Sequence, residues 1–257
     1  MNFKIKKILS NKNKKSLICL TAYSKNISKI LDKYCDIILV GDSLANVVYG
    51  MKNTHKITLR TMIDHAKSVK LGVKNSLLVV DMPKGTYKNR SIALKNAKKI
   101  IKLTRCDSIK IENNSKNFSI IKNLTKSGIP VMGHIGFTPQ YKKKFTPIVY
   151  SKKEEKKLMN DANKIEEAGA FSMVIECVPE SISKKITKSL KIPTIGIGAS
   201  KFCDGQILVT DDLLGLSGFY PRFVKKYANL KKLIEISIQK YKKDVLNKKF
   251  PNKKNSF

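Results

Sequence analysis

The sequence predicts a closed (β/α)8 TIM barrel that occupies residues 1–257 as a single domain, with a basic C-terminal tail that frays. Short apolar runs alternate with stretches of helical periodicity, a pattern typical of parallel strands joined by crossover helices. Six of the runs end on a polar or acidic residue, and in an α/β barrel the carboxyl ends of the strands form the face that carries the chemistry. These residues are Asp42, Asp81, Glu112, His134, Glu176 and Asp211.

Eight strands are predicted from the apolar runs, as a closed barrel of this length requires. They comprise Leu17–Ala22, Asp36–Val40, Leu77–Val80, Ser108–Ile111, Pro130–Gly133, Phe171–Ile175, Thr194–Ile197 and Gln206–Val209. An open doubly wound sheet is the alternative. The segment IGIGAS does not form a GxGxxG turn and no phosphate-loop lysine follows it, which disfavours a nucleotide-binding fold.

Helices are predicted where apolar residues recur with a period of about 3.6. They comprise Ser24–Tyr34, a segment from Thr58, Asn89–Leu103, Lys116–Ser127, Ser151–Gly169, a segment after Pro179, and Pro221–Leu246. Gly169 suits the position just after a helix, and Pro179 suits a first turn. Residues 42–57 and the segment between His134 and Ser151 are predicted as long loops, which inside compact domains are often functional.

The charge of the chain raises the hypothesis of a nucleic-acid-binding protein. The chain has 52 Lys and Arg against 19 Asp and Glu, a formal net charge of +33. Only four of the basic residues are Arg, although Arg makes the bidentate contacts that nucleic-acid readers favour. The lysines are spread over every predicted helix and loop. We therefore attribute the charge to biased composition and expect no specific nucleic-acid partner.

The apolar runs and the cysteines indicate the compartment. No run is long enough to span a bilayer, and the N-terminal segment lacks the apolar region and cleavage site of a signal peptide. We therefore expect a cytoplasmic protein without a membrane partner. The five cysteines are odd in number and widely spaced, without a CxxC pair. Reduced, buried thiols are expected, rather than a zinc site or a nucleophile.

Three acids follow consecutive strands, two, three and four. Asp42, Asp81 and Glu112 should therefore meet on one side of the barrel mouth. Oxygen-bearing side chains suit a hard divalent cation such as Mg²⁺. Magnesium keeps several waters and takes one or two direct carboxylates, so Glu112 is expected to act directly or through water. The alternative is that each acid caps a strand or pairs with a lysine.

Three further side chains are candidates for the chemistry. Lys110 points to the same face as Glu112 but lies deeper, where a buried ammonium must pair with an acid or hold a substrate carboxylate. His134 lies between two glycines that allow a ligand close approach, although a lone His is as often structural. The apolar neighbours of Glu176 are expected to raise its pKa, which suits a general base near neutral pH.

Eight segments carry a resemblance to a known family. They are TAYS, ILVGDSLANVVYG, LVVDMP, IKIE, PVMGHIGFTPQ, AGAFSMVIECVP, IPTIGIGAS and CDGQILVTDDLLGL, and they occur in this order between Leu17 and Tyr241. Together they resemble the ketopantoate hydroxymethyltransferase family. The joint occurrence of VGDS, GHIGxTPQ, ECVP and DGQ is specific, whereas any one of these motifs alone would be weak.

The resemblance implies a barrel of the phosphoenolpyruvate-binding type and a homo-oligomer, typically a decamer. It also implies transfer of a one-carbon unit from 5,10-methylenetetrahydrofolate to 3-methyl-2-oxobutanoate, the first step toward pantothenate. The implied site residues fall into three groups. They are Asp42, Asp81 and Glu112 for Mg²⁺; Asp42, Ser43, Asp81, Lys110 and His134 for the oxoacid; and Glu176 as the proton acceptor.

The segment Tyr141–Lys152 departs from the family, which has a longer glycine-rich stretch there. This change is expected to affect folate binding, loop closure or turnover. It does not alter the acidic residues of the site. A carbon–carbon or carbon–phosphorus lyase of the phosphoenolpyruvate mutase/isocitrate lyase type is the enzyme alternative. Such an enzyme is expected to carry a catalytic Cys in a loop motif, and none is evident in this sequence.

Overall fold

A computed structural model describes residues 2–115, 117–141, 151–218 and 220–257. The chain divides into two compact units, Met1–Val209 and Thr210–Phe257. The first unit contains a closed barrel of eight strands in chain order, all paired in parallel. The strands are β1 Leu17–Thr21, β2 Ile37–Val40, β3 Leu77–Asp81, β4 Ser108–Glu112, β5 Val131–Gly136, β6 Ser172–Glu176, β7 Thr194–Ile197 and β8 Gly205–Leu208. The predicted barrel is confirmed.

Strand β5 is longer than the sequence predicts. The predicted strand ends at Gly133, but pairing with β6 continues through His134 and Ile135 to Gly136. His134 is therefore a strand residue, held by the backbone ladder on both sides. Gly136 has a φ of +92°, and a Cβ there would collide with the backbone carbonyl of Glu176. Only glycine lets the ends of β5 and β6 approach so closely.

Helices cover the outside of the barrel. Those of the first unit are α1 Phe3–Ser10, α2 Lys25–Leu31, α3 Leu44–Val47, α4 Leu59–Lys70, α5 Arg90–Thr104, α6 Phe118–Lys126, α7 Lys152–Glu167 and α8 Glu180–Ser189. The predicted loop of residues 42–57 contains α3 and a short 3₁₀ segment, Thr54–Lys56. Residues 198–204, all of which are described, join β7 to β8 without a helix.

Several helix ends follow local sequence signals. Ser151 and Glu154 form a capping box at the start of α7, which satisfies two backbone donors that the helix leaves free. After α7, Gly169 adopts a φ of +89°, as predicted for a residue that ends a helix in the left-handed conformation. Pro179 is the N-cap of α8, one position before the predicted first turn.

Helix α1, which the sequence analysis does not predict, closes the amino-terminal end of the barrel. Its residues Ile5 and Ile8 are buried in one apolar cluster with inward-facing strand residues such as Leu39 and Val79. Lys12, just after α1, donates to Asp204 Oδ2 at 2.8 Å, next to the start of β8. With this end filled, the carboxyl ends of the strands are the open face.

The second unit comprises α9 Thr210–Leu213 and α10 Leu230–Leu246. Helix α10 begins nine residues later than the predicted Pro221, because the side chain of Asn229 accepts a hydrogen bond from the backbone N–H of Lys232 and caps the helix there. Asp211, where the last apolar run ends, lies in α9. In the part of the chain that the structure describes, no helix combines the length and apolarity needed to cross a membrane.

Candidate active site

Six candidate side chains lie at the carboxyl ends of five consecutive strands. Asp42 follows β2, Asp81 ends β3, β4 contributes Lys110 and Glu112, and His134 and Glu176 lie on β5 and β6. The strand register places Asp81 beside Lys110 and Glu112 beside His134. Alternation along a strand sends Lys110 and Glu112 to the same face. The sequence prediction that these residues share one mouth is consistent with this register.

The two aspartates and Lys110 form the first part of the site. The backbone N–H of Asp42 donates to Asp81 Oδ2 at 3.0 Å. Asp81 Oδ1 lies 2.9 Å from Lys110 Nζ, and both side chains are almost fully buried. Of the two predicted roles of Lys110, pairing with an acid is the one observed, and it offsets the high cost of an unpaired ammonium at this depth.

His134 joins Lys110 to the two glutamates. Its Nδ1 atom lies 3.4 Å from Lys110 Nζ and 3.8 Å from Glu112 Oε1, and its Nε2 atom lies 3.1 Å from Glu176 Oε2. A lysine ammonium can only donate, so Nδ1 must accept. With Nδ1 as the acceptor, the Nε2 side of the ring faces the Glu176 carboxylate.

Glu176 and Ser43 are the site residues with solvent access. The Glu176 side chain is 13% exposed, against 3% for His134 and 1% for Glu112. Ser43 is half-buried, and its hydroxyl lies 2.8 Å from the hydroxyl of Tyr23. A small ligand can therefore reach Glu176 and Ser43, while the rest of the polar cluster is shielded from bulk water.

Gln140 is a buried site residue to which the sequence analysis assigns no role. Its Nε2 atom donates to Asp42 Oδ2 at 2.9 Å and to the Met82 carbonyl at 3.0 Å. Its backbone N–H donates to Glu112 Oε2 at 3.0 Å, and its Oε1 atom accepts from the Tyr87 hydroxyl at 2.5 Å. The TPQ motif contains this residue, but an uncharged side chain in a loop gives no chemical signal by itself.

Burial shifts the pKa values of Asp42 and Glu112 upward. Burial, followed by the charge of Asp81, raises the pKa of Asp42 to about 7. Burial, followed by the charge of Asp42, holds the pKa of Glu112 well above its ordinary value. Burial alone would lower the pKa of Lys110, but the charges of Asp81, Glu112 and Asp42 outweigh it and raise that pKa. Lys110 is therefore the permanent cation of the cluster.

The donor set fits a hard divalent cation. Four carboxylates and one lysine form the cluster, and burial together with the neighbouring negative charge raises the pKa of Asp42 and Glu112, so a bound cation or proton would relieve this charge. Within the described ranges, no three His, Cys, Asp or Glu side chains group closely enough to hold a metal by themselves. This arrangement fits Mg²⁺, which takes one or two carboxylates and completes its shell with water and substrate oxygens.

The remaining histidines and the cysteines lie outside this cluster. His65 contacts the Tyr23 carbonyl at 2.8 Å, and His55 contacts the Pro139 carbonyl at 3.0 Å.

All five cysteines are free thiols, four of them buried and Cys177 partly buried. Burial raises the pKa of Cys35 and Cys106 to about 11. The predicted inert, reduced thiols are confirmed for these two.

Comparison with known proteins identifies similar enzymes along the whole chain. Residues 2–253 match the family model of ketopantoate hydroxymethyltransferase. A 3-methyl-2-oxobutanoate hydroxymethyltransferase from Pelagibacter ubique (strain HTCC1062) is 54% identical over 257 residues and covers 100% of both chains. A protein of the same name from Thermosipho africanus (strain TCF52B) is 47% identical and covers 98% of this chain and 97% of its own.

Among solved structures, a phosphonopyruvate hydrolase in complex with oxalate and Mg²⁺ matches with a TM-score of 0.64. The match covers 98% of this chain and 93% of that chain at 9% sequence identity. At such low identity the likeness extends to the fold alone. It supports the barrel and does not favour the lyase alternative.

Proposed function

The chain belongs to the ketopantoate hydroxymethyltransferase family, and we propose that it transfers a hydroxymethyl group from 5,10-methylenetetrahydrofolate to 3-methyl-2-oxobutanoate. The product is 2-dehydropantoate, in the first step of pantothenate biosynthesis. The observation that carries this proposal is the unbroken series of contacts from Asp42 through Asp81, Lys110 and His134 to Glu176. This series supports a cation site at Asp42 and Asp81 close to a base at Glu176.

Asp42 and Asp81 would hold a Mg²⁺ ion, with Glu112 acting through water. When bound, the ion would polarise the 2-oxo group of the substrate and stabilise the negative charge that develops there. Lys110, fixed by Asp81 at 2.9 Å, adds a permanent positive charge on the same side of the pocket. That charge offsets the substrate carboxylate, and the partly exposed Ser43 hydroxyl is available to hydrogen-bond it.

Glu176 removes the proton from C3 of the oxoacid. It is the most exposed acid of the cluster, and its Oε2 atom lies 3.1 Å from His134 Nε2, which would hold that oxygen in place. A base held in this way needs no rearrangement before proton transfer, which is the basis of efficient general-base catalysis. Once C3 carries the electron pair, it forms the new bond to the methylene carbon of the folate. The two C–N bonds between this carbon and the folate break, one water supplies the hydroxyl oxygen, and the proton from C3 and one proton from water end on the two folate nitrogens of the released tetrahydrofolate.

The assembly and compartment complete the proposal. A homo-oligomer, a decamer as the family resemblance implies, would cover the apolar side chains on the outside of the barrel. Tyr34 and Leu71, just after helices α2 and α4, are 69% and 70% exposed, and burying such side chains in a subunit contact would be favourable. Sedimentation velocity measures the mass of the assembly directly, and a monomer at micromolar concentration would rule out the assembly.

We propose a cytoplasmic location.

Product formation tests the function. The chain is incubated with 3-methyl-2-oxobutanoate, 5,10-methylenetetrahydrofolate and MgCl₂, and 2-dehydropantoate is measured by mass spectrometry. We expect product that depends on all three additions and disappears after rigorous metal chelation. Absence of product at saturating substrates, or turnover that survives chelation, would contradict the proposal. Phosphonopyruvate, tested in parallel, should release no phosphate. Of the divergent segment Tyr141–Lys152, residues 142–150 lie outside the described residues.

A further inference from the structure

We propose that Gln140 is a positioning residue that fixes the Asp42 carboxylate for cation binding, and that Tyr87 fixes Gln140 in turn. This inference rests on the proposed cation site at Asp42 and Asp81. Gln140 is 1% exposed and Tyr87 is 3% exposed, so neither side chain exchanges its partners with water. Every polar contact of this pair is therefore made within the protein.

The contacts of Gln140 fix which way its amide points. On one side lie two acceptors, Asp42 Oδ2 at 2.9 Å and the Met82 carbonyl at 3.0 Å. Only the NH₂ end of an amide can satisfy both. The Tyr87 hydroxyl donates to the other end at 2.5 Å, and burial raises the Tyr87 pKa and keeps that proton in place. A flipped amide would set an oxygen against a carboxylate.

Gln140 also joins three strand ends to the loop after β5. Its side chain contacts Asp42 after β2 and Met82 after β3, and its backbone N–H donates to Glu112 Oε2 on β4. One residue therefore engages a carboxylate oxygen of two of the three proposed cation-site acids. By donating to Asp42 Oδ2, Gln140 limits the rotation of that carboxylate.

Loss of this support should weaken cation binding more than it weakens the fold. Outer residues that hold metal-ligating carboxylates typically contribute about 10- to 100-fold in metal affinity or activity. Without Gln140, Asp42 rotates more freely, and part of the binding free energy is spent on fixing it. The defect should then appear in the affinity for the cation and in the KM for the oxoacid, while kcat at saturating cation changes little.

Mn²⁺ binding, measured by electron paramagnetic resonance on the full chain, tests this role without relying on turnover. Gln140→Met keeps the length of the side chain and removes its hydrogen bonds, and Tyr87→Phe removes only the hydroxyl that orients the amide. We expect Gln140→Met to weaken Mn²⁺ binding about 10- to 100-fold and Tyr87→Phe to weaken it less. Gln206→Met and Tyr34→Phe, both exposed and away from the cluster, are the matched controls and should bind as the parent does.

The outcomes separate this inference from the proposed function. A parent chain that binds no Mn²⁺ would overturn the proposed cation site and this inference with it. A parent that binds Mn²⁺ while both variants bind equally well would overturn only the role of Gln140. If Gln140→Met fails to fold, as judged by its circular dichroism, the isosteric Tyr87→Phe decides: unchanged affinity rejects the inference, and a several-fold loss supports it.

Discussion

Nε2 of His134 lies 3.1 Å from Oε2 of Glu176, while Nδ1 of the same ring faces the ammonium of Lys110 at 3.4 Å. The ring therefore connects the permanent cation of the site to its most exposed acid. Since Lys110 can only donate, Nδ1 accepts and the Nε2 side of the imidazole faces Glu176. If Glu176 is the base, as proposed, this contact would hold one of its oxygens and leave the other for the substrate.

Replacing His134 should slow proton removal. A hydrogen bond to a charged group contributes about 1.5–3 kcal/mol, so His134→Ala should reduce the rate of C3 proton exchange about 10- to 100-fold. His134→Gln, which retains a donor, should recover part of the rate. Exchange followed by proton NMR measures this effect, with His65→Gln as the control. Equal rates in parent and His134→Ala would show that the ring does not orient the base.

Removal of Lys110 should destabilise the protein. Lys110→Met leaves the buried Asp81 carboxylate without its partner at 2.9 Å, a change that typically costs about 3–5 kcal/mol. The double variant Lys110→Met/Asp81→Leu removes both charges and should lose less stability than Lys110→Met alone. Urea unfolding of both variants measures the difference. A double variant that loses as much as the sum of the two single changes would contradict a coupled pair.

Cation binding should depend on pH near neutrality. Burial, followed by the charge of Asp81, raises the pKa of Asp42 to about 7 in the metal-free protein, so a cation must displace a proton at lower pH. The affinity for Mg²⁺ should fall by up to about tenfold per pH unit below this pKa and level off above it. Calorimetric titration at several pH values measures the slope. An affinity that stays constant across this range would contradict the raised pKa.

Asp32 should stabilise the fold at neutral pH and lose that effect in acid. Burial alone would raise its pKa, but backbone donors from Ser76, Asn75 and Lys74 outweigh burial and lower it from 3.8. A pKa that is lower in the folded state stabilises the fold at pH values above the pKa of the unfolded state. This stabilisation is lost as the pH falls through the pKa of the folded state. The difference in unfolding free energy between the parent and Asp32→Asn should therefore shrink with acidification. A difference that grows in acid would contradict this assignment.

The sequence predicts the barrel and the acids of the site because both depend on local patterns. Apolar runs mark the strands, and the polar residues that follow them must lie at one face of a parallel barrel. Asp42, Asp81 and Glu176 could therefore be found without coordinates. Helix α1 and the late start of α10 are missed, since α1 is only eight residues long with three lysines among them and α10 depends on the cap at Asn229.

The partners within the site depend on register and on loop placement, which no local pattern specifies. The contact of Lys110 with Asp81 follows from the pairing of β3 with β4, a tertiary property. Gln140 becomes a site residue only because the loop after β5 carries it to Asp42 and Met82. Its amide is uncharged, so composition and spacing give it no more weight than any other glutamine.

Deuterium exchange at C3 of 3-methyl-2-oxobutanoate, in heavy water with Mg²⁺ and without folate, tests the central claim most directly. It isolates proton removal from the carbon–carbon bond formation that follows. The account predicts that the parent chain exchanges this proton and that Glu176→Gln does not. Exchange at the parent rate in Glu176→Gln would contradict the assignment of Glu176 as the base.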